Sequence, residues 1–308
     1  METKYKTLAD FLDHFKDEAT CQKYFEAMRF RDGDYCPHCG HTHINRFKDG
    51  KRFRCASCKQ DFTIKTKTVF GESKIPLRKW FIAIYLLTTN KKGISSINLS
   101  KQVGVTQKTA WFMDMRIRKA MKQGKSQLFG SVELDETFVG GKEKNKHWDK
   151  RTKGAQGRNP RTKTPVIGLL QRGGHMRASV VDEVSTRMIE KHIISNVKIG
   201  SQLYSDDYIG YSHIGKLYPH KSVAHGRGQY AIKGGIHTNS IESFWAGFKR
   251  GHYGTYHYMS RKHMQRYVDE FVYRFNNRMN AFADVFENMI VKTASGDTLP
   301  YKKLTKNG

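Results

Sequence analysis

Four of the five cysteines fall in two pairs, Cys36-Pro-His-Cys39 and Cys55-Ala-Ser-Cys58, with fifteen residues between the pairs. Two Cys-x2-Cys knuckles so spaced can bring four thiolates onto one ion in a tetrahedron, which limits this part of the chain to a small metal-nucleated module. Zinc is the ion expected, in a structural role. Four sulfur ligands leave no position open for water or substrate, and binding supplies much of the folding energy of so small a unit. A redox pair or an iron–sulfur cluster would use the same residue type, but the surrounding glycines, aromatics and basic residues point to neither. His38, His41 and His43 stand nearby as substitute ligands, although four cysteines suffice. Cys21 stands apart and reads as a buried thiol. Five cysteines in 308 residues are too few for a disulfide scaffold, and a reducing cytosol is the expected compartment.

The charge balance names the partner class. Against 28 Asp and Glu the chain carries 55 Lys and Arg, a formal net charge of +27. Such an excess favours a polyanion bound by release of condensed counterions, nucleic acid before anionic membrane. The longest apolar run, Trp80 to Leu87, is eight residues, where a membrane span needs about 20. The first fifteen residues hold no apolar stretch followed by a cleavage site, so no secretory signal is expected. A hydrophobic content of 38% suffices for cores in two or more units.

Patterning divides the chain. Residues 1–33 read as a helical segment on the spacing of Leu8, Phe11, Leu12 and Phe15, and 34–65 as the cysteine module. Within 75–122, three helices are expected at 77–90, 95–103 and 106–121, the last two joined through Gly104 with Thr106 as cap, which is a helix-turn-helix outline. Ala110, Met113, Ile117 and Met121 form the expected buried stripe of the third helix, leaving Gln107, Lys108 and Arg116 to DNA. From 129 to 285 strands are expected at 130–139, 164–171, 175–182 and 200–206, with helices at 185–197, about 239–250 and 260–280, an α/β layered unit. Its basic insertion, 141–163, holds nine Lys and Arg against two acids, and residues 286–308 are left as a C-terminal tail.

Acids gather at strand ends in this basic chain. Alternation along Gly130–Phe138 places Val132 and Leu134 on one face and Glu133 and Asp135 on the other. A second strand ends in Asp206 and Asp207, and Glu242 follows in His237-Thr-Asn-Ser-Ile-Glu-Ser-Phe-Trp. Carboxylates in such numbers suit two Mg2+ or Mn2+ ions serving phosphoryl transfer on a DNA backbone. Glu242 has a second use, since Asn239-x-x-Glu242 fits a capping box.

The knuckles, Val105-Thr-Gln-Lys-Thr-Ala-Trp, Glu133-Leu-Asp-Glu-Thr, Asp206-Asp-Tyr-Ile-Gly-Tyr, the His237 motif, Phe248-Lys-Arg-Gly and Tyr267-Val-Asp-Glu-Phe-x-x-Arg-Phe-Asn-Asn-Arg together resemble insertion-sequence transposases of the DDE type with an amino-terminal zinc ribbon, the ISXO-like group related to the Merlin transposons. The resemblance runs from Cys36 to about Arg278. It implies a multidomain α/β protein: zinc ribbon and helix-turn-helix, then a ribonuclease-H-like catalytic domain. It also implies a metal pair on Asp135, Asp206 and Glu242, with Lys249 and the adjoining Arg250 toward DNA. It selects Asp206 over Asp207, and because some relatives replace the last acid, His237 and Asn239 become secondary candidates; His225 aligns without a role. The expected partners are double-stranded DNA, as element ends and target, and a second copy of the chain, with no membrane and a nucleoid-associated location. A non-catalytic DNA-binding regulator and a nuclease that never joins ends are the rival readings.

Overall fold

The computed structural model describes residues 5–141, 143–153, 159–206, 217–223 and 237–306. Asp207, His225 and part of the 141–163 insertion lie outside these residues. The chain forms two compact units, Met1–Met121 with Met279–Gly308, and Lys122–Arg278.

In the first unit, α1 (Leu8–His14) begins with a capping box between Thr7 and Asp10, and α2 (Glu18–Arg29) with the Asp17 carboxylate on the Thr20 amide. A three-stranded antiparallel sheet follows in the order β1 (Ile44–Arg46), β2 (Arg52–Cys55), β3 (Asp61–Thr63). Helix α3 (Leu77–Thr89) starts after Pro76, which has no side chain to cap it. Glu18 of α2 supplies the missing acceptor, taking the Leu77 and Arg78 amides at 2.8 and 2.9 Å. Helices α4 (Ser96–Val103) and α5 (Gln107–Ala120) are capped by Ser95 and Thr106. Between them Gly104 takes φ 67°, a left-handed conformation that costs glycine nothing.

The C-terminal residues are no loose tail. Helix α9 (Phe282–Ser295) places Phe286 against Phe11, Phe15 and Phe81, at ring-centroid distances of 5.0, 5.5 and 5.4 Å. The Val69 amide donates to the Thr293 carbonyl, and α10 (Tyr301–Thr305) puts Tyr301 edge-on to Phe112 of α5. The chain's end thus completes the core that its beginning starts.

The second unit is built on a five-stranded mixed sheet in the order β6-β5-β4-β7-β8. Its strands are β4 (Ser131–Val139), β5 (Thr164–Gln171), β6 (Met176–Val180), β7 (Gln202–Asp206) and β8 (His220–Val223). The pairs β6–β5 and β5–β4 are antiparallel, whereas β4–β7 and β7–β8 are parallel. One face carries Val132, Leu134, Ile167, Leu169 and Leu203, buried with Ile189 and Ile193 of α6 (Thr186–Asn196). The other receives α7 (Asn239–Gly251) and, along β6, α8 (Met264–Asn276). Side-chain amides close the β6 edge: Gln123, Gln265 and Asn276 accept from the Ala178, Val180 and Met176 amides at 3.0, 2.7 and 2.7 Å. No helix of the described residues is long and apolar enough to cross a membrane.

His192 on α6 makes this unit acid-sensitive. Its Nε2 is shut from solvent with no hydrogen-bond partner among the described residues. Burial, then the charge of Arg177, pushes its pKa down to about 4 from 6.5. The unfolded chain therefore binds this proton first, so the contribution is whole above pH 6.5 and is lost as pH falls toward 4. We expect about 2 kcal/mol of stability to go between pH 7 and 4.5 and His192→Leu to remove that part of the slope, as read from urea unfolding at the two pH values.

Candidate metal centre and active site

Both knuckles close on left-handed residues, Gly40 at φ 80° and Lys59 at φ 58°. The His38 amide donates to Cys36 Sγ and the Cys58 amide to Cys55 Sγ, each at 3.4 Å, an arrangement that favours the thiolate. All four Sγ atoms lie within 4.8 Å of one another, with Cys36–Cys58 at 3.7 Å and Cys39–Cys55 at 3.6 Å. A tetrahedron with Zn–S bonds of about 2.3 Å has sulfur–sulfur edges of about 3.8 Å, so the cysteines fit Zn2+ without rearrangement. Beneath them Phe53 and Phe62 stack at 5.4 Å in a core of only a few side chains. Among the described residues this is the one group of ligating side chains with all donors so close; the carboxylates of the second unit stand farther apart.

Asp135 lies on β4, Asp206 at the end of the adjacent parallel strand β7, and Glu242 in the first turn of α7. Asp135 is half-buried, and its carboxyl is pushed up to about 8 from 3.8, first by burial and then by the charges of Glu136, Asp206 and Glu242. The backbone amide of Glu136 opposes this shift by donating to Asp135 Oδ1 at 2.8 Å. Acids from three elements therefore share one electrostatic environment.

A close approach of helix to sheet brings Glu242 there. Gly168 pairs with Asp135 across β4 and β5, and a Cβ on Gly168 would meet the Trp245 indole at 2.5 Å. Trp245 lies one turn after Glu242 on α7, so the absent side chain seats the helix beside Asp135. The expected capping box does not form. Asn239 is exposed and already helical, Thr238 precedes the helix without a side-chain cap bond, and the Thr238 hydroxyl donates to Glu242 Oε1 at 2.8 Å. His237 goes with Glu133, its Nδ1 3.3 Å from Glu133 Oε1.

Comparison with known proteins decides the family. Residues 16–61 match the transposase zinc-ribbon domain and residues 127–276 the ISXO2-like transposase domain, together more than half of the chain. The chain belongs to the ISXO2-like transposases with a zinc ribbon. A relative in the transposable element ISH50 of Halobacterium salinarum is 29% identical over 241 residues, covering 74% of this chain and 81% of that protein.

Of the side chains of this transposase expected to face DNA, Gln107 and Lys108 are exposed in the first turn of α5. Gln107 donates to Ser96 Oγ at 2.8 Å, and the Lys108 ammonium sits 5.0 Å from the Tyr301 ring centre. Arg116 is a correction. It is 3% exposed, donates from Nε to the Leu299 carbonyl at 3.1 Å and lies over the Phe112 ring. The C-terminal segment covers the helix face that periodicity leaves open. Arg116→Ala is therefore expected to cost about 2 kcal/mol of stability in chemical denaturation and leave the salt dependence of DNA binding unchanged. Lys108→Ala should instead lower the log–log salt slope by about 0.9. Lys249 and Arg250 are exposed in the last turn of α7, Lys249 two turns beyond Glu242.

Sequence reasoning gave no role to Glu133, Arg172, Gly168 or Thr238. Only Glu133 left a signal, an acid two residues before Asp135 on the same strand face.

Proposed function

We propose that this transposase binds the terminal inverted repeats of an insertion sequence and catalyses metal-dependent DNA cleavage and strand transfer at Asp135, Asp206 and Glu242. The observation that carries the proposal is the placement of Asp135 and Asp206 on adjacent parallel strands with Glu242 in the first turn of the helix packed on β4, in a chain of charge +27; the raised Asp135 carboxyl accords with it. Clustered acids in so basic a protein need a cationic partner, and hard carboxylate oxygens suit Mg2+ or Mn2+. The strand order, with acids on two adjacent central strands and the following helix, accords with a ribonuclease-H-like catalytic domain. Helices α3 to α5, with their glycine turn, accord with a helix-turn-helix.

When bound, the ion pair supplies charge stabilisation at the scissile phosphate and a more acidic attacking oxygen. The chain's own task is to hold and orient. Asp135, Asp206 and Glu242 would hold the ions, while Lys249 and Arg250 offer positive charge to the strand beside the reacting phosphate. Water's oxygen bonds to phosphorus as the bond to the 3′ oxygen breaks, leaving a 3′-hydroxyl at the element end. That hydroxyl then displaces a 3′ oxygen in target DNA, one phosphodiester formed for one broken. Joining two ends calls for two protomers, so a homodimer or larger assembly forms on the DNA.

The test uses the full chain with a supercoiled plasmid bearing element ends, with Mg2+ or with chelator, and with a pre-cleaved end duplex. Nicking and joining that both require Mg2+ are expected. Nicking without joining would make the protein a nuclease, and salt-sensitive binding with neither activity would make it a regulator.

A further inference from the structure

The Glu133 carboxylate is completely buried in β4, where an unpaired charge would cost several kcal/mol. It is paired on two sides. Arg172, just beyond β5, donates from Nε to Oε1 at 2.9 Å, and the Ile241 amide of α7 donates to Oε2 at 3.0 Å. Arg172 also lies over the Tyr204 ring at 4.0 Å and donates to the His237 carbonyl at 2.6 Å.

Two details give this arrangement a purpose. First, Ile241 is the third residue of α7, and its amide is one of the first-turn donors that no helix satisfies internally. Such a donor is ordinarily taken by the residue before the helix, but Thr238 turns its hydroxyl to Glu242 instead. Second, the node repeats the candidate site one layer down. Glu133 precedes Asp135 by two residues on β4, its register partner Tyr204 precedes Asp206 by two on β7, and Ile241 adjoins Glu242.

We infer that Glu133 and Arg172 are positioning residues, a cap delivered from the sheet that fixes the first turn of α7 and so holds Glu242 in register with Asp135 and Asp206. Glu133 touches no reacting atom. It takes the capping duty from Thr238, which is thereby free to orient the Glu242 carboxylate. The inference rests on the proposed role of Glu242.

The test uses Glu133→Gln, which keeps an acceptor for the Ile241 amide but turns a neutral group toward Arg172, and Arg172→Lys as a second variant in case the first does not fold. In the zinc-loaded full-length protein without added Mg2+ or Mn2+, hydrogen exchange of a peptide spanning 238–245 should accelerate about tenfold, with β4 and β5 peptides unchanged. Mn2+ affinity, read by calorimetry, should fall about tenfold, within the range for loss of a group that orients a ligand. In a Glu242→Gln background Glu133→Gln should cause no further loss of Mn2+ affinity, because its effect passes through Glu242. Faster exchange throughout the sheet, an unchanged Mn2+ affinity, or a full additional loss in the Glu242→Gln background would each overturn the inference. Wild-type protein that takes up no Mn2+ and cuts no DNA would instead sink the proposed function, a result separable from the exchange measurement.

Discussion

Asp135→Asn should abolish DNA cleavage and end joining while leaving the protein folded and bound to DNA. A metal pair is worth several kcal/mol to the transition state; at about 4 kcal/mol the loss is about a thousandfold in rate. Glu242→Gln should fall by a similar factor, because the amide keeps its acceptor for the Thr238 hydroxyl but no longer offers a charged ligand. Folding is not the casualty at Asp135. Burial and neighbouring acids raise its carboxyl to about 8, so a neutral amide of nearly the same shape is expected to hold or raise the melting temperature of the zinc-loaded protein without Mg2+. A single-turnover cleavage assay on end DNA, with a melting curve and a binding isotherm for each variant, checks the prediction. Cleavage by Asp135→Asn within tenfold of wild type would remove Asp135 from the site.

The second large effect concerns zinc. The ribbon's core is Phe53, Phe62, Ile44 and their few neighbours, too small to fold by itself. Metal binding in modules of this kind supplies about 10 to 16 kcal/mol, so the ribbon should exist only with the ion. Elemental analysis should find one zinc per chain. Chelation, or Cys55→Ser, should unfold residues 36–63, seen as loss of hydrogen-exchange protection, and lower end-DNA affinity at least about tenfold. Cys21 provides the control: it is fully buried in α2, outside the Sγ cluster, so Cys21→Ala should cost about 1 kcal/mol of stability and leave zinc at one per chain. Retention of ribbon protection after complete zinc removal would refute the structural role.

The ribbon was legible because its information is local: two knuckles, each closed within four residues, carry the whole ligand set. The helices at 77–89, 96–103 and 107–120 were legible for the same reason, through Ser95, Gly104 and Thr106. Strand alternation likewise put Glu133 and Asp135 on the face away from Val132 and Leu134. Periodicity, however, reports which face of an element is apolar and not what covers the polar one. Arg116 reads as a DNA contact until Leu299, 183 residues later, lies across it. Asn239 reads as a cap in the sequence, yet it is already helical, and the Ile241 amide is taken by Glu133 from 108 residues away.

By itself, then, the sequence determined the ligand types, the local turns and the polar or apolar identity of each face, since these depend on neighbours within a turn or a hairpin. Tertiary structure alone decided which polar side chains are closed off by distant chain, as Arg116 is by Leu299, and which carboxylate takes a helix amide, as Glu133 does. Those outcomes depend on burial and on hydrogen bonds between segments that meet only when the sheet and its helices are assembled.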